Sequence, residues 1–301
     1  MTPVQRLIAN PIFILAVGLI VTAPASRAVV IRHDVPEEQY LKLAADPALQ
    51  ASIVAVLDPR GSCSGVLLDA QHILTVGHPI EGYLAENTTE GPIQLPVRVR
   101  GEDFTAEYAY IHPQYDPIKN RGGADLAILR LSQAVPNFGG SVIWSGVVNP
   151  GLAFVGVGQG KSGTGKDRNE PLPRGTFRGY ENVLDFIHSD DYSLFRSDFD
   201  DDTPAHNTLS RVVYDRTNTL IKGASDAKPL PLEGTAAGGD SGSGVWLRRD
   251  GKHYLLGIAT YRFFSMYGGQ SAYVNLSHPV HVQWLKSVAT AEATTFGFKS
   301  N

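Results

Sequence analysis

The chain has 301 residues, of which 43% are hydrophobic and 19% are charged, and this length favours two domains or lobes. Such a composition supports a sizeable core and excludes global disorder and a coiled coil. The 26 Lys and Arg residues against 30 Asp and Glu residues give a formal net charge of −4, so no basic excess indicates nucleic-acid binding. A single cysteine excludes an internal disulfide and a multi-cysteine zinc site.

Residues 1–28 have the features of a secretory signal peptide. The segment carries two arginines and no acidic residue, and its apolar run at 12–21 is short for a membrane helix, which needs about 20 apolar residues. Small residues follow, where Ala25 and Ala28 each end a candidate signal-peptidase site. We expect cleavage and export to the periplasm or the extracellular space, with no membrane association afterwards. An uncleaved membrane anchor is the alternative.

The rest of the chain is predicted to be mostly short strands. Asp34, three residues before Glu37, forms a candidate capping box for a helix from Val35 to Ala45. Turn residues separate the β-rich runs, and strand–helix alternation is missing, so the pattern predicts an antiparallel sandwich or barrels. The predicted strands are Ser52–Leu57, Gly65–Leu68, His72–Val76, Pro96–Arg100, Tyr108–Ile111, Leu126–Leu131, Ala153–Val157, Gly244–Leu247, Leu255–Thr260 and Ala272–Asn275.

A second helix is predicted near the end of the chain. Val280, Trp284 and Val288 recur at a spacing of four residues and share one helical face. Ser277 is the expected N-cap of this helix, and Pro279 suits its first turn.

An acidic run lies at residues 198–202, within the least periodic part of the chain. Asp198, Asp200, Asp201 and Asp202 offer the hard oxygen ligands that calcium prefers, but their spacing is not that of an EF-hand. A solvated acidic loop is the favoured interpretation. We expect no cofactor and no metal.

Three distant segments carry residues suited to nucleophilic catalysis. Ser241 lies in the glycine-rich segment 239–244, where a tightly bent backbone exposes N–H groups that can hold an oxyanion. His78 follows an apolar strand, and imidazole is the usual base for a serine hydroxyl. Asp125 directly precedes another apolar strand and can orient that imidazole. Taken singly, these residues also fit a plain turn, a structural histidine and a turn-capping aspartate.

Together, in the order His78, Asp125, Ser241, the segments resemble the chymotrypsin/trypsin superfamily of serine proteases. This order differs from that of α/β-hydrolases and of subtilisins. The resemblance covers about residues 50–290 and is weak across 159–233. Further segments that resemble family segments are 63–68, 73–78, 110–116, 256–260 and 271–277.

The resemblance implies an all-β fold of two antiparallel six-stranded β-barrels with a C-terminal helix. The first barrel and an N-terminal segment would occupy residues 29–145, and the second barrel and the helix residues 146–301. In that family, Ser241 would be the nucleophile, His78 the general base and then acid, and Asp125 its orienting partner. The backbone N–H groups of Gly239 and Ser241 would form the oxyanion hole.

The sequence departs from the family pattern at two places that bear on the site. Pro79 follows His78 where the family has a cysteine, so Cys63 lacks its usual partner and is expected to be a buried free thiol. The family's Ile-Val-Gly-Gly start is also missing. Cleavage after Ala28 would expose an apolar N-terminus at Val29 that can pair with Asp240.

The substrate pocket implied by the resemblance comprises Thr235, Thr260, Arg262 and Ser271. Thr235, six residues before Ser241, is expected at the pocket floor where trypsin has an aspartate, so a preference for Lys or Arg is not expected. Ser271 and Arg262 fall near positions where glycines often keep the pocket open, which predicts a small or obstructed pocket. Arg262 either attracts an acidic side chain or, as favoured here, faces solvent.

These features predict a secreted serine endopeptidase that hydrolyses protein or peptide substrates through an acyl-enzyme. Since no member of the triad is substituted, an active hydrolase is favoured over the alternatives. Those alternatives are a catalytically silent pseudoprotease acting as a binding module, and a secreted serine esterase.

Overall fold

The computed structural model describes residues 29–116, 123–166, 176–187, 193–210, 212–214, 220–222 and 225–300; the predicted signal peptide lies outside these ranges. The described part begins with a short strand and two helices. These elements are β1 Val30–Ile31, α1 Glu37–Ala44 and α2 Pro47–Gln50.

A closed six-stranded antiparallel barrel follows, with strand order β2-β3-β4-β7-β6-β5. Its strands are β2 Ile53–Val56, β3 Cys63–Leu67, β4 His72–Thr75, β5 Glu90–Val99, β6 Glu102–Ile111 and β7 Ala127–Leu131, with a 3-10 helix at Glu81–Tyr83. Along β5, buried Ile93, Leu95, Val97 and Val99 alternate with exposed residues, as expected for a strand with one face on a core. The strands predicted in this part of the chain are confirmed.

The second half of the described chain is built around an open nine-stranded sheet. Seven strands run in the order β11-β9-β17-β18-β19-β13-β12, and β8 and β20 attach beside β18. The elements are β8 Val142–Trp144, β9 Ala153–Gly158, β10 Gly163–Thr164, β11 Arg178–Val183, β12 Phe186–Ile187, β13 Leu194–Asp198, β14 Val212–Tyr214, β15 Leu220–Lys222, β16 Gly234–Thr235, β17 Gly244–Arg249, β18 Lys252–Phe263, β19 Gln270–Asn275, α3 Pro279–Ala291 and β20 Gly297–Lys299. The expected all-β fold with two barrel-like sheets and a C-terminal helix is confirmed, but the second sheet is open and has nine strands, whereas a second six-stranded barrel was expected.

Strand β1 joins the second half of the chain despite its place near the N-terminus. Val30 pairs with Gly163 of β10 in parallel and with Thr235 of β16 in antiparallel orientation. Val29 and Val30 are buried. The segment that follows the predicted cleavage point is therefore part of the core beside β16.

Both predicted helices exist, but their predicted caps are wrong. Helix α1 begins after Pro36 without a side-chain cap, because the Asp34 carboxylate is paired with the guanidinium of Arg32 instead. Helix α3 has Pro279 in its first turn as predicted. Its N-cap is His278, since the Ser277 hydroxyl donates to Oδ1 of Asn275 at 2.7 Å.

The acidic run differs from the solvated loop favoured by the sequence. Asp198 and Asp200 are buried, and the Asp198 carboxylate accepts hydrogen bonds from the Leu209 N–H and the Ser225 hydroxyl. Neighbouring segments of the same chain therefore cover these carboxyl groups. In the described ranges, no group of three or more His, Cys, Asp or Glu side chains is arranged to hold a metal ion. No helix in those ranges is long and apolar enough to cross a membrane.

Candidate active site

Strand pairing in the barrel brings His78 and Asp125 together. Strands β4 and β7 are antiparallel neighbours, with Thr75 opposite Ala127. His78 lies three residues beyond the end of β4, and Asp125 lies two residues before the start of β7. The two side chains therefore leave the same end of the barrel, although 47 positions separate them in sequence.

Asp125 holds His78 through both carboxylate oxygens. Oδ2 lies 2.8 Å from the ring Nδ1 of His78, and Oδ1 accepts the backbone N–H of His78 at 2.9 Å. The Thr260 hydroxyl donates to the same Oδ2 at 2.6 Å. Asp125 is buried, whereas the His78 side chain is 43% exposed. A carboxylate at Nδ1 favours the tautomer with the proton on Nδ1, which leaves Nε2 free to accept a proton.

Sequence reasoning missed the hydrogen bond between Thr260 and Asp125. The sequence placed Thr260 in the substrate pocket, and the structure also places its hydroxyl on Asp125. It lies on β18 in the second half, so this hydrogen bond joins the two halves of the molecule. No local signal marks such a contact, because 135 positions separate the two residues.

The loop that carries Ser241 is organised by the buried carboxylate of Asp240. This carboxylate accepts the backbone N–H groups of Ala237 at 2.8 Å, Gly160 at 2.7 Å and Val29 at 3.2 Å. Burial raises the pKa of Asp240 to about 6, and these N–H groups oppose that rise. Three separate segments thus meet at one side chain directly before the candidate nucleophile.

Two backbone N–H groups of this loop are available to a ligand. In the part of the chain that the structure describes, the N–H groups of Gly239 and Ser241 donate no hydrogen bond. Gly239 has a φ of +99°, a conformation that favours glycine. Unpaired donors flanking a serine are what an oxyanion hole requires.

Strand β3 of the barrel fixes this loop from the other side. The Ser64 N–H donates to the Ser241 carbonyl at 2.7 Å, and the Ser64 hydroxyl donates to the Gly239 carbonyl at 3.1 Å. Gly242 packs so closely here that a Cβ at this position would overlap the Ser64 carbonyl oxygen. The candidate nucleophile therefore lies against the same barrel that carries His78.

Thr260 lies between Asp125 and the cavity that Ser241 lines. Thr260 bonds to Asp125, and it lines one cavity together with Ser241. Within the described residues, no hydrogen bond joins the Ser241 hydroxyl to the His78 ring. Such contacts are often long before substrate binds, so this geometry is compatible with a serine–histidine pair.

A cavity of about 290 Å³ opens beside Ser241. Of the four predicted pocket residues, Thr260 and Arg262 line it. Thr235 and Ser271 do not line it; both are buried, and their hydroxyl oxygens are 2.7 Å apart. The remaining lining residues are Ala236, Ala237, Gly238, Asp240, Ser241, Ala259 and Tyr261.

The lone cysteine is a buried free thiol, as expected. Cys63 is 5% exposed and forms no disulfide. Burial raises the pKa of its thiol to about 12. A thiol in this state is a poor nucleophile, so Cys63 does not compete with Ser241 as the reactive group.

Comparison with known proteins agrees with this fold. Residues 44–184 match the family model Trypsin. Among solved structures, the chain is similar to mouse neuropsin, described as a serine protease expressed in the limbic system of mouse brain. The identity is 16% and the TM-score 0.54, over 80% of this chain and 96% of that chain. No match was found among curated protein sequences. The family match over residues 44–184 and the similar fold of a solved serine protease support a chymotrypsin/trypsin-like serine protease.

Proposed function

We propose that this protein is a secreted serine endopeptidase with a His78–Asp125–Ser241 triad. The observation that supports this most directly is the double contact of Asp125 with the ring and the backbone of His78. A purely structural aspartate needs no imidazole at that position, whereas a general base needs a fixed tautomer and orientation. The unpaired N–H groups beside Ser241 add the complementary site for negative charge.

In the proposed reaction, the Ser241 hydroxyl attacks the carbonyl carbon of the scissile peptide bond while Nε2 of His78 accepts its proton. The oxyanion that forms takes hydrogen bonds from the N–H groups of Gly239 and Ser241, an effect of about 3–4 kcal/mol per donor. Collapse breaks the carbon–nitrogen bond, and His78 returns the proton to the leaving amine. A water molecule then attacks the ester carbonyl, with His78 again as base, and releases the acid and the free serine.

We propose further that residues 1–28 are a signal peptide and that cleavage follows Ala28. Support comes from Val29, which is buried and whose backbone N–H donates to Asp240. A free α-ammonium at this position would bring a positive charge to a buried carboxylate. Removal of the signal would then both release the enzyme and order the loop before Ser241.

Labelling with a fluorophosphonate probe tests the triad. We expect labelling at Ser241 in the purified protein and none in Ser241→Ala. Ser243→Ala is the matched control, because its hydroxyl lies in the same loop, is buried and has no hydrogen-bond partner among the described residues. Hydrolysis of an internally quenched peptide should be lost only in Ser241→Ala.

The same experiment separates the alternatives. Absence of both labelling and hydrolysis would support a silent pseudoprotease and overturn the proposed activity. Labelling with turnover of esters but not of peptides would indicate an esterase. N-terminal sequencing of the exported protein that finds Met1 would contradict the proposed cleavage.

A further inference from the structure

Two cationic side chains converge at the mouth of the cavity beside Ser241. Arg262 lines this cavity. A methyl group placed at Gly238 would lie 3.1 Å from Nη2 of Arg262 and 3.4 Å from Cδ of Lys161. The side chains of Arg262 and Lys161, which come from two different segments, therefore both lie close to Gly238. Both residues are exposed, so the charged ends are accessible from solvent.

Lys161 is held at this place by the backbone. Its N–H donates to the Gly238 carbonyl at 2.5 Å, and the neighbouring Gly160 N–H donates to the Asp240 carboxylate. These two backbone hydrogen bonds therefore hold the Cα of Lys161 next to the loop that carries Ser241. Arg262 is fixed in turn by β18, which pairs with β19 so that Arg262 lies opposite Ser271.

No carboxylate neutralises these two cations in the described part of the chain. Neither Arg262 nor Lys161 has a salt-bridge partner there. The cavity lining contains one acidic residue, Asp240, whose carboxylate is turned to three backbone N–H groups. The mouth of the cavity beside Ser241 therefore has a positive charge that no described carboxylate compensates.

The residues that line the cavity favour an anionic side chain over a cationic one. Thr235 and Ser271 lie outside the lining, and their hydroxyl groups are hydrogen-bonded to each other. The described pocket offers no carboxylate at depth that could pair with Lys or Arg. Its walls include the small residues Ala236, Ala237 and Ala259.

We infer that the enzyme prefers substrates with an acidic side chain, Glu or Asp, at the residue whose carbonyl Ser241 attacks. Arg262 binds the carboxylate through charge-assisted hydrogen bonds, and its planar guanidinium suits that group. Lys161 adds a second positive charge across Gly238. The inference rests on the proposed peptidase function and names the substrate class of that site.

Matched peptides that differ only at this residue test the preference. We expect kcat/KM for a Glu peptide to exceed that for its Gln counterpart about tenfold or more, and to exceed that for a Lys peptide further. Arg262→Gln should remove most of the Glu-over-Gln ratio, because kcat/KM for the Glu peptide falls much more than that for the Gln peptide. Lys161→Gln should reduce the ratio less. Arg248→Gln, an exposed arginine on β17 away from the cavity, is the control and should leave it unchanged.

Salt provides a second readout that does not depend on a variant. Raising the salt concentration from about 0.05 M to about 0.5 M should lower the Glu-over-Gln ratio of the unmodified protein, because the cations are exposed. Equal rates for Glu and Gln peptides, or an equal loss on both in Arg262→Gln, would overturn the inference while the peptidase function stands. Absence of peptide hydrolysis together with absence of Ser241 labelling would overturn the proposed function and, with it, this inference.

Discussion

The backbone N–H of Val29 donates to Oδ2 of Asp240 at 3.2 Å, directly before the candidate nucleophile Ser241. Val29 is buried, and the next residue pairs with β10 and with β16. The start of the proposed mature chain and the loop of Ser241 therefore share one buried contact. Any change at this N-terminus is expected to reach the oxyanion donors through Asp240.

A free amine at Val29 should accelerate the reaction of Ser241. An α-ammonium beside Asp240 lowers the pKa of that carboxyl from the value of about 6 that burial produces. Protein that begins at Val29 and protein with one additional Met before it can be compared by their rates of fluorophosphonate labelling. We expect the extended form to be about tenfold slower or more. Equal rates in two equally stable proteins would rule out this role for Val29.

Thr260 should support catalysis through Asp125 rather than through substrate. Thr260→Val keeps the shape of the side chain and removes its donor to Oδ2 of Asp125. Because a hydrogen bond to a charged group contributes about 1.5–3 kcal/mol, we expect kcat to fall about tenfold or more with KM nearly unchanged. Thr260→Ser restores the hydroxyl and should restore most of kcat. If Val and Ser at this position behave alike, the hydrogen bond has no part in the reaction.

Gly242 should be far less tolerant of a side chain than Gly251, although both have a positive φ. A Cβ at Gly242 would overlap the Ser64 carbonyl oxygen, whereas no atom of the described part of the chain lies within 4 Å of a Cβ at Gly251. Gly251→Ala should cost about 1–2 kcal/mol of unfolding free energy through φ alone. Gly242→Ala should lower the free energy of unfolding by at least about 3 kcal/mol, because the backbone at Ser64 must move to make room for the Cβ. Urea unfolding measures the free energy of unfolding of both variants. Similar losses in the two variants would contradict this prediction.

Asp200 should make the protein less stable as pH rises. Burial, with Asp198 and Glu233 nearby, raises the pKa of Asp200 to about 8 from an ordinary value of 3.8. Between about pH 4 and pH 8 the folded state then holds a proton that the unfolded chain has released, so the free energy of unfolding decreases with pH. Asp200→Asn cannot ionise and should be more stable than the unmodified protein at about pH 8–9, with little difference near pH 4.

Asp202→Asn is the control for this pH dependence, since Asp202 is exposed. Thermal unfolding of the three proteins from about pH 4 to pH 9 measures the effect. A stability difference between Asp200→Asn and the unmodified protein that does not change with pH would show that Asp200 does not titrate in this range.

Cys63 should resist alkylation in the folded protein. Its thiol is buried, and burial raises the pKa to about 12, so little thiolate forms at neutral pH. Iodoacetamide at about pH 8 should modify it only after denaturation in guanidinium. Rapid modification of the native protein would show that β3 opens on the time scale of the reaction.

The local pattern of apolar and polar residues was sufficient to predict the strands that pair with strands close to them in the sequence. The barrel strands between Ile53 and Leu131 follow runs of buried and exposed residues, and turn residues mark where they end. Strands β11 and β13 were not predicted. They lie in the aperiodic part of the chain, where burial on both sides erases alternation, as in the pattern of β13. The caps at Asp34 and Ser277 were wrong because Arg32 and Asn275 compete for those side chains.

The amino-acid sequence by itself determined the all-β class, and it singled out His78, Asp125 and Ser241 as a proposed triad because each lies in a segment whose local pattern resembles the chymotrypsin/trypsin superfamily. Tertiary structure alone decided that Thr260 bonds to Asp125, that Val29 reaches Asp240, and that Thr235 and Ser271 bond to each other behind the cavity. It also decided that Arg262 and Lys161 approach the same point beside Gly238. These contacts join residues far apart in the chain, and their distances depend on strand register and on how the two halves pack, which no local pattern encodes.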